Sequence, residues 1–377
     1  MRGNIRQRAK GTWTIQVYLG EDSVTGKKRY LSRTVKGTKK EAELALAKLV
    51  QAAESGLDFD ATRLTLEAFA DRWLTNVQPR VRAKTHHRYA ELFRIHIVPV
   101  IGKIRLDKLQ PLHLERVYEE AFAKGLSAQT VLHVHRLLYT ALRQAVAWQL
   151  LSRNVAEAVT PPRPEPKDVA PLAKKDILTL LDAVKGTELE APTVIALGTG
   201  MRMGEVLGLR WQDVDLEAGR ARIVQTIQQT SEGWMVVPPK THRSRRIVLL
   251  PTMVVQSLRR QKAAQAERRL AIGGAWVDHD LIIDRGDGEP MLTRVLSRRF
   301  STAARRAGLE LTFHGLRHGH ASLMLAAGVN LKVVSERLGH STIGITADLY
   351  IHVAEEVHRQ ATDSFDSWWV AALSQDE

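Results

Sequence analysis

A run of prolines is the feature that most constrains how this chain folds. Residues 160–171 read TPPRPEPKDVAP and hold five prolines. Proline has no amide hydrogen and a fixed φ angle, so this run can neither continue a helix nor enter the middle of a sheet. The 377 residues also exceed what a single hydrophobic core usually holds. The sequence therefore predicts two or three domains, with a proline-rich linker at 161–171.

Four amphipathic stretches upstream of the linker, within 64–160, carry the signals of helix ends. Thr65 and Ser127 are candidate N-caps, and Pro111 suits the first position of a helix. Four helices with short connections predict a compact helical domain. The second stretch begins with basic side chains that can contact phosphates, although a charged helix face is more often only a solvated surface. These candidates for DNA contacts are Lys84, His87 and Arg88.

The first 58 residues follow a different pattern. Apolar and polar residues alternate from Thr12 to Leu19, which predicts a strand, and Gly26 marks a turn before further strand structure. Thr38 and Glu41 have the spacing of a capping box at the start of a helix. A small sheet backed by a helix, with basic residues on its exposed face, is one way to read a groove of duplex DNA. The alternative is that these charges only confer solubility.

The charge balance restricts the partners of the chain. Lys and Arg together number 55 against 41 Asp and Glu, which gives a formal net charge of +14. Such a balance favours an anionic partner, either nucleic acid or a membrane surface. No apolar run reaches the roughly 18 residues that a membrane span needs, and no signal-peptide pattern opens the chain. Nucleic acid is therefore the expected partner, and the cytoplasm is the expected location.

Downstream of the linker, helical patterns alternate with short strand-like runs in residues 219–250. Together with the small sheet at the start of the chain, this predicts an α+β fold that is mainly helical. The chain contains no cysteine, so disulfides, thiolate metal sites and cysteine nucleophiles are excluded.

A group of polar side chains recurs at defined spacings between His314 and Tyr350. On a helix that begins near Phe313, His314 and Arg317 are three residues apart and share a face. The predicted buried face of the same helix carries other residues at helical spacing. These expected core residues are Leu316, His320, Leu323 and Ala327.

A second helix in this segment is bounded by its own signals. Asn330 can cap its start, and Gly339 supplies its C-terminal stop, which places His340 at a sharp exit from the helix. Arg317 can donate a bidentate pair of hydrogen bonds to phosphate oxygens, and a histidine can move a proton. Tyr350 is a potential nucleophile. The set therefore suits a phosphodiester.

Other chemistries fit these residues less well. His314 and His318 are four residues apart and could bind zinc, but Arg317 lies beside them and no third ligand is in register. No Walker-type glycine loop indicates ATP, and no cluster of carboxylates indicates a two-metal nuclease. We therefore expect neither a metal nor a cofactor.

Three motifs in the second half resemble those of the tyrosine recombinases, and of phage-type integrases in particular. The first is HGLRHGH followed by LGH and, ten positions later, by a tyrosine. The second, around Arg202 and Glu205, resembles the first arginine motif of the family. The third, PPKTHRSRRIVLL, resembles the hairpin that carries the catalytic lysine of the family, which places that role on Lys240.

The resemblance implies a mechanism and a role for each matching residue. Tyr350 attacks the scissile phosphate and forms a 3′-phosphotyrosyl bond, and Lys240 protonates the departing 5′ oxygen. His314 assists as proton acceptor, and Glu205 has a supporting, structural role. The charge on the non-bridging oxygens is stabilised by Arg202, Arg317 and His340. A free 5′ hydroxyl of a partner strand then attacks, so that strands are exchanged through a Holliday junction.

The resemblance also implies a domain layout and partners. It predicts an arm-type DNA-binding domain at 1–58, a helical core-binding domain at 64–160, and a catalytic domain at 172–377 that ends in a docking tail. A homotetramer on two duplexes that carry attachment sites is expected, and a host DNA-bending protein and an excisionase are candidate accessory partners. Arg243 and Arg245, with the neighbouring Arg246, are candidate contacts to the DNA backbone.

Three other functions remain open at this point. A type IB topoisomerase shares the chemistry but rejoins the same strand, and a resolvase-type strand transferase acts without the arm-type domain. A DNA-binding regulator would not cleave at all.

Overall fold

The computed structural model describes residues 3–21, 26, 28–54, 64–165, 172–230, 233–239, 245–340, 342–344, 347, 359, 362–363, 365–366 and 369. The chain divides into two compact units, Met1–Lys167 and Asp168–Glu377. The division lies within the proline-rich run, where few backbone hydrogen bonds can form. The finer layout, with separate arm-type and core-binding domains inside the first unit, stays a prediction.

The first unit begins with an antiparallel sheet of three strands that packs on one helix. The three strands pair in chain order. Alternate residues of the central strand face the helix, so Ile15 and Val17 are fully buried there. The helix begins with the predicted capping box: the Thr38 amide donates to Glu41 at 2.7 Å, and the Glu41 amide donates to the Thr38 hydroxyl at 3.3 Å. The elements are β1 (Gly3–Ala9), β2 (Thr12–Glu21), β3 (Lys28–Lys36) and α1 (Lys39–Glu54).

The rest of the first unit is helical, as the sequence predicts. Thr65 and Ser127 cap two of the helices through their side chains, and Pro111 occupies the first turn of a third. The second predicted helix is interrupted by a wider π-type turn at Phe93–Ile97. The helices are α2 (Leu66–Val77), α3 (Ala83–Leu92), α4 (Val98–Ile101), α5 (Pro111–Ala123) and α6 (Ala128–Ala147).

The second unit surrounds the candidate site with helices and two small antiparallel sheets. The strands predicted within 219–250 divide between these sheets: Arg220–Ile223 pairs with Arg246–Leu249, and Thr226–Thr230 and Gly233–Val237 form a separate hairpin. The helices are α7 (Lys174–Val184), α8 (Glu190–Thr199), α9 (Met203–Leu207), α10 (Thr252–Ile272), α11 (Thr293–Arg306), α12 (Phe313–Ala326) and α13 (Leu331–Leu338). The strands are β4 (Val214–Asp215), β5 (Arg220–Ile223), β6 (Thr226–Thr230), β7 (Gly233–Val237) and β8 (Arg246–Leu249).

Helix α12 begins at Phe313 as predicted, but its buried face differs from the expected one. Leu316 and His320 are buried, whereas Leu323 is 38% exposed and Ala327 is also exposed. The first half of the helix packs into the large core of the unit, and the second half packs on α13. Because the second half packs on α13, its buried residues are Ala321 and Leu325. The prediction that Leu323 and Ala327 belong to the core was wrong.

These elements confirm an α+β fold that is mainly helical. Among the described residues, no helix is both long enough and apolar enough to cross a membrane.

Candidate active site

The C-terminal end of α13 forms the centre of the site. Asn330 caps the start of the helix by accepting a hydrogen bond from the Lys332 amide at 2.9 Å. Gly339 adopts the left-handed conformation, with φ of 67°, that ends a helix with little strain only at a glycine. The Gly339 amide then donates to Glu336 and the His340 amide to Ser335, which is the Schellman pattern. The backbone of His340 is therefore fixed by local hydrogen bonds.

Arg317 reaches this end of α13 from the neighbouring helix α12. Its side chain is almost fully buried, with 3% exposure for the residue. One terminal nitrogen donates to the Gly200 carbonyl at 2.6 Å and the other to the Leu338 carbonyl at 2.9 Å. These bonds use two of the five N–H groups of a guanidinium. Burial, followed by repulsion from Arg202, lowers the pKa of Arg317 to about 9, so it stays protonated at neutral pH.

Gly200 is required where the chain leaves α8. Its φ is 67°, and a Cβ at this position would lie 2.5 Å from Leu338 and 2.7 Å from His320. A larger residue would therefore separate α8 from α12 and α13 and displace the carbonyl that binds Arg317. The close packing at this position therefore requires a glycine two residues before Arg202.

Arg202 lies just before the first turn of α9 and points to the same helix end. Its Nη2 donates to the Gly339 carbonyl at 2.9 Å, and its Nη1 donates to Glu205 at 2.9 Å. The Arg202 side chain is 37% exposed, whereas the Glu205 side chain is 4% exposed. Arg202 and Arg317 thus hold the carbonyls of two successive residues, and Arg202 keeps an open side towards solvent.

Glu205 is charged although it is buried. Burial opposes its ionisation, but Arg246 and then Arg202 outweigh this and hold the pKa of Glu205 below its ordinary value. Arg246 donates to the two carboxylate oxygens of Glu205 at 3.3 and 3.1 Å. The Glu205 carboxylate thus joins the guanidinium groups of Arg202 and Arg246.

Three histidines near this helix end are uncharged at neutral pH. His314 and His318 lie on successive turns of α12, with ring centroids 4.8 Å apart, and burial lowers the pKa of each. For His314, repulsion from His318 and Arg317 adds to this effect. Burial, then Arg317 and Arg202, lower the pKa of His340 to about 4. A neutral imidazole can accept a proton at one nitrogen and donate a hydrogen bond from the other.

Sequence reasoning missed two residues that the structure places in this site. Arg246 was interpreted as a contact to DNA, but its side chain is 8% exposed and donates to the Arg337 carbonyl at 2.6 Å, so that interpretation was wrong. Arg337 donates to His320 at 3.2 Å and to the Leu249 carbonyl at 2.9 Å. No local pattern distinguishes these arginines from exposed ones. Only their contacts in the folded unit do.

The remaining predicted site residues are not among the described arginines and histidines at the end of α13. Lys240, Arg243 and Tyr350 lie outside the described residues. Arg245 is described and exposed. In the first unit, the three candidates for DNA contacts are all carried by α3; they are Lys84, His87 and Arg88, and each is exposed.

The described part of the site is suited to one kind of chemistry. Two guanidinium groups converge on the end of α13, beside histidines that are neutral at pH 7. Fixed cations of this kind stabilise an oxyanion whose charge grows during a reaction, without reorganisation of solvent. Neutral histidines add a proton acceptor and a hydrogen-bond donor. A phosphodiester undergoing substitution at phosphorus needs this combination.

Comparison with known proteins relates the chain to the phage integrases. Residues 171–357 match the phage integrase family, and residues 65–121 match the N-terminal SAM-like domain of phage integrases. A XerC-like tyrosine recombinase of Caldanaerobacter subterraneus is 28% identical, with 97% of this chain and 99% of the relative covered. An integrase of Streptomyces ambofaciens is 29% identical over 90% of this chain and 88% of its own length.

Solved structures show the same fold. The Tn1549 transposon integrase, in complex with a circular intermediate DNA, superposes with a TM-score of 0.66 at 21% identity and covers 80% of this chain and 99% of its own. A lambda integrase tetramer bound to a Holliday junction gives a TM-score of 0.57 at 20% identity, with 92% and 94% covered.

The fold and the arginine-rich site therefore define a tyrosine recombinase. Within that class, the chain belongs to the phage integrase family and is a site-specific DNA recombinase.

Proposed function

We propose that this recombinase cuts and rejoins DNA through a phosphotyrosine at Tyr350, and that it integrates and excises a mobile element. The Tyr350 oxygen attacks the scissile phosphorus, a new P–O bond forms, and the bond to the 5′ oxygen breaks. The tyrosine proton passes to His314, and Lys240 supplies a proton to the departing 5′ oxygen. The second step reverses these transfers, with the 5′ hydroxyl of a partner strand as nucleophile.

One observation carries this proposal. Arg202 and Arg317 approach the same helix end and bind the carbonyls of Gly339 and Leu338, immediately before His340. A non-bridging phosphate oxygen placed there would meet two cations whose positions are already fixed. His340, neutral in the free protein, would donate a hydrogen bond to the same phosphate.

The low pKa of His314 supports its assignment as proton acceptor. A histidine that is protonated at pH 7 could not accept the tyrosine proton, whereas a neutral one can. Because the bond energy is kept in the phosphotyrosine, the reaction needs no high-energy cofactor.

The assembly we propose is a homotetramer on two duplexes that carry attachment sites. The lambda integrase of similar fold is a tetramer on a Holliday junction. Residues 1–58 would bind arm-type sites, and residues 64–160 would bind the core site through the basic side chains of α3. Arg243 and Arg245 would contact the backbone near the cleavage site. A host DNA-bending protein and an excisionase would regulate direction, and the reaction would take place on the nucleoid in the cytoplasm.

Covalent trapping tests the chemistry directly. Duplexes that bind the protein are selected from a genomic library, nicked near the protected centre, incubated with the protein in EDTA and run on a denaturing gel. The wild-type chain is expected to form a protein–DNA adduct that maps the cleavage site. Tyr350→Phe is expected to keep DNA binding and to lose the adduct completely, because it lacks the nucleophilic oxygen.

A second tyrosine provides the matched control. Tyr89 packs on Trp73 in the first unit, so Tyr89→Phe is expected to keep the adduct. An adduct that persists in Tyr350→Phe would refute the assigned nucleophile. Binding by the wild-type chain without any adduct, even with synthetic junctions and arm-site DNA supplied, would indicate a regulator that does not cleave.

A further inference from the structure

Three arginines, rather than two, hold the end of α13. Successive carbonyls of the helix terminus each accept one guanidinium hydrogen bond. The negative end of the helix dipole is thereby neutralised by cations from three different elements. The three bonds are from Arg246 to Arg337 at 2.6 Å, from Arg317 to Leu338 at 2.9 Å and from Arg202 to Gly339 at 2.9 Å.

Arg246 is linked to Arg202 through the buried carboxylate of Glu205. The Glu205 carboxylate accepts a pair of hydrogen bonds from Arg246 and one hydrogen bond, of 2.9 Å, from Arg202. The Glu205 and Arg246 side chains are 4% and 8% exposed. A buried ion pair gains little net stability over well-packed apolar residues, because both charges lose their hydration. The geometry that the pair imposes on Arg202 is therefore the better explanation for it.

Helix α13 and strand β8 are tied to each other in both directions. Arg246, the first residue of β8, donates to the carbonyl of Arg337 in α13. The side chain of Arg337 returns to β8 and donates to the carbonyl of Leu249, its last residue. Two opposed bonds fix both the distance and the rotation between the strand and the helix, which a single bond could not do.

We propose that Arg246 is a positioning residue for the phosphate-binding site. It does not touch the phosphate. It orients Arg202 through Glu205, and it fixes the backbone that carries His340 through the Arg337 carbonyl. This inference rests on the proposed function, in which Arg202 and His340 meet the scissile phosphate.

The test compares two substrates and two arginine variants. The probes are the nicked duplex recovered by covalent trapping and the same duplex with a methylphosphonate at the scissile position, which removes the negative charge that Arg202 would neutralise. Arg246→Lys keeps the positive charge but cannot hold Glu205 and the Arg337 carbonyl at once. Arg259→Lys is the matched control, because Arg259 pairs with Glu217 on the surface of the same unit.

Arg246→Lys is expected to bind the duplex like the wild-type chain and to form the adduct about 10²-fold more slowly, since small misplacements cost this much. On the methylphosphonate the difference is expected to shrink to about tenfold or less, because less charge has to be stabilised. Arg259→Lys is expected to match the wild-type rate on both substrates.

Two results would overturn the inference. One is an Arg246→Lys rate equal to that of the wild-type chain. The other is an equal loss on both substrates, which is what a purely structural role would give. If circular dichroism shows that Arg246→Lys does not fold, Glu205→Gln tests the same link with the same readouts. A missing adduct in the wild-type lane would refute the proposed function instead, so the two failures are distinguishable.

Discussion

The end of α13 and the surface of α3 are both cationic, but they hold their charges in opposite ways. At α13, the arginine side chains are buried or half-buried and bind backbone carbonyls. On α3, Lys84 and His87 are exposed, and Arg88 pairs with Glu91 at 2.7 Å on the surface. A backbone carbonyl cannot rotate away, whereas an exposed carboxylate can exchange its partner for water or phosphate.

This contrast indicates two tasks for positive charge. Fixed guanidinium groups stabilise charge that appears at one point during a reaction, because they need no rearrangement. Exposed and mobile side chains suit an extended polyanion such as a DNA backbone, where several weak contacts add up. The largest effects on catalysis should therefore arise at α13, and the effects at α3 should be confined to binding.

Among changes at these two surfaces, replacing Arg317 should give the largest effect. Lysine keeps the charge, but one ammonium group cannot reach the Gly200 and Leu338 carbonyls and a phosphate oxygen together. Arg317→Lys is expected to lower the rate of adduct formation about 10²–10³-fold, with DNA binding retained. Single-turnover cleavage of the trapped duplex measures this loss. The control is the same change at an exposed arginine, Arg260→Lys, which should leave the rate unchanged. Equal rates of adduct formation for the two variants would contradict a special role for the arginines at α13.

His320, which contacts Arg337 of α13, should make the free energy of unfolding depend on pH. Burial lowers the pKa of His320 to about 4, despite an opposing hydrogen bond to the Leu197 carbonyl. An unfolded histidine has a pKa near 6.5, so between pH 6.5 and 4 the unfolded chain binds more protons. Stability is therefore lost as the pH falls through this range, by up to about 1.4 kcal/mol per pH unit for one histidine.

The variant His320→Gln isolates this contribution. It keeps a donor and an acceptor but cannot titrate, so the fall in stability between pH 6.5 and 4.5 is expected to be less steep. Unfolding midpoints in guanidinium chloride at several pH values provide the measurement. Identical pH slopes for the variant and the wild-type chain would contradict a neutral, buried His320.

Changes on α3 should have the smallest effects. Lys84→Ala and Arg88→Ala are each expected to weaken DNA binding modestly and to reduce the slope of log K against log salt by about 0.9 for each phosphate that is no longer neutralised. The rate of adduct formation at saturating protein should not change. Lys124→Ala, on the surface of the same unit, is the control. A loss of cleavage at saturating protein would show that α3 contributes to catalysis, and would contradict the division between binding at α3 and catalysis at α13.

Local signals in the sequence predicted much of this molecule. Thr65, Ser127 and Asn330 were recognised as caps because a cap depends on hydrogen bonds within a few residues. Gly339 was recognised as a helix stop for the same reason. The family motifs added Arg202 and Arg317, which the structure brings to one helix end. Residues whose role depends on neighbours close in sequence were thus predictable.

Distant contacts could not be predicted in the same way. Leu323 has the spacing of a core residue, but α13 packs on another side of α12 and leaves it exposed. Arg246 lies among other basic residues in the sequence, and its partners Glu205 and Arg337 are 41 and 91 residues away. A charged residue is expected at the surface until its buried partner is known.

The three bonds that hold α13 also determine when this site can form. They join residues 91, 21 and 137 positions apart, so two of them close very long loops. Contacts of such separation slow folding, because loop closure costs entropy before it is compensated. During synthesis, Arg202 and Arg246 emerge long before the carbonyls that they bind. A chain released before residue 339 therefore lacks the carbonyl that binds Arg202, and the arginine cluster stays incomplete.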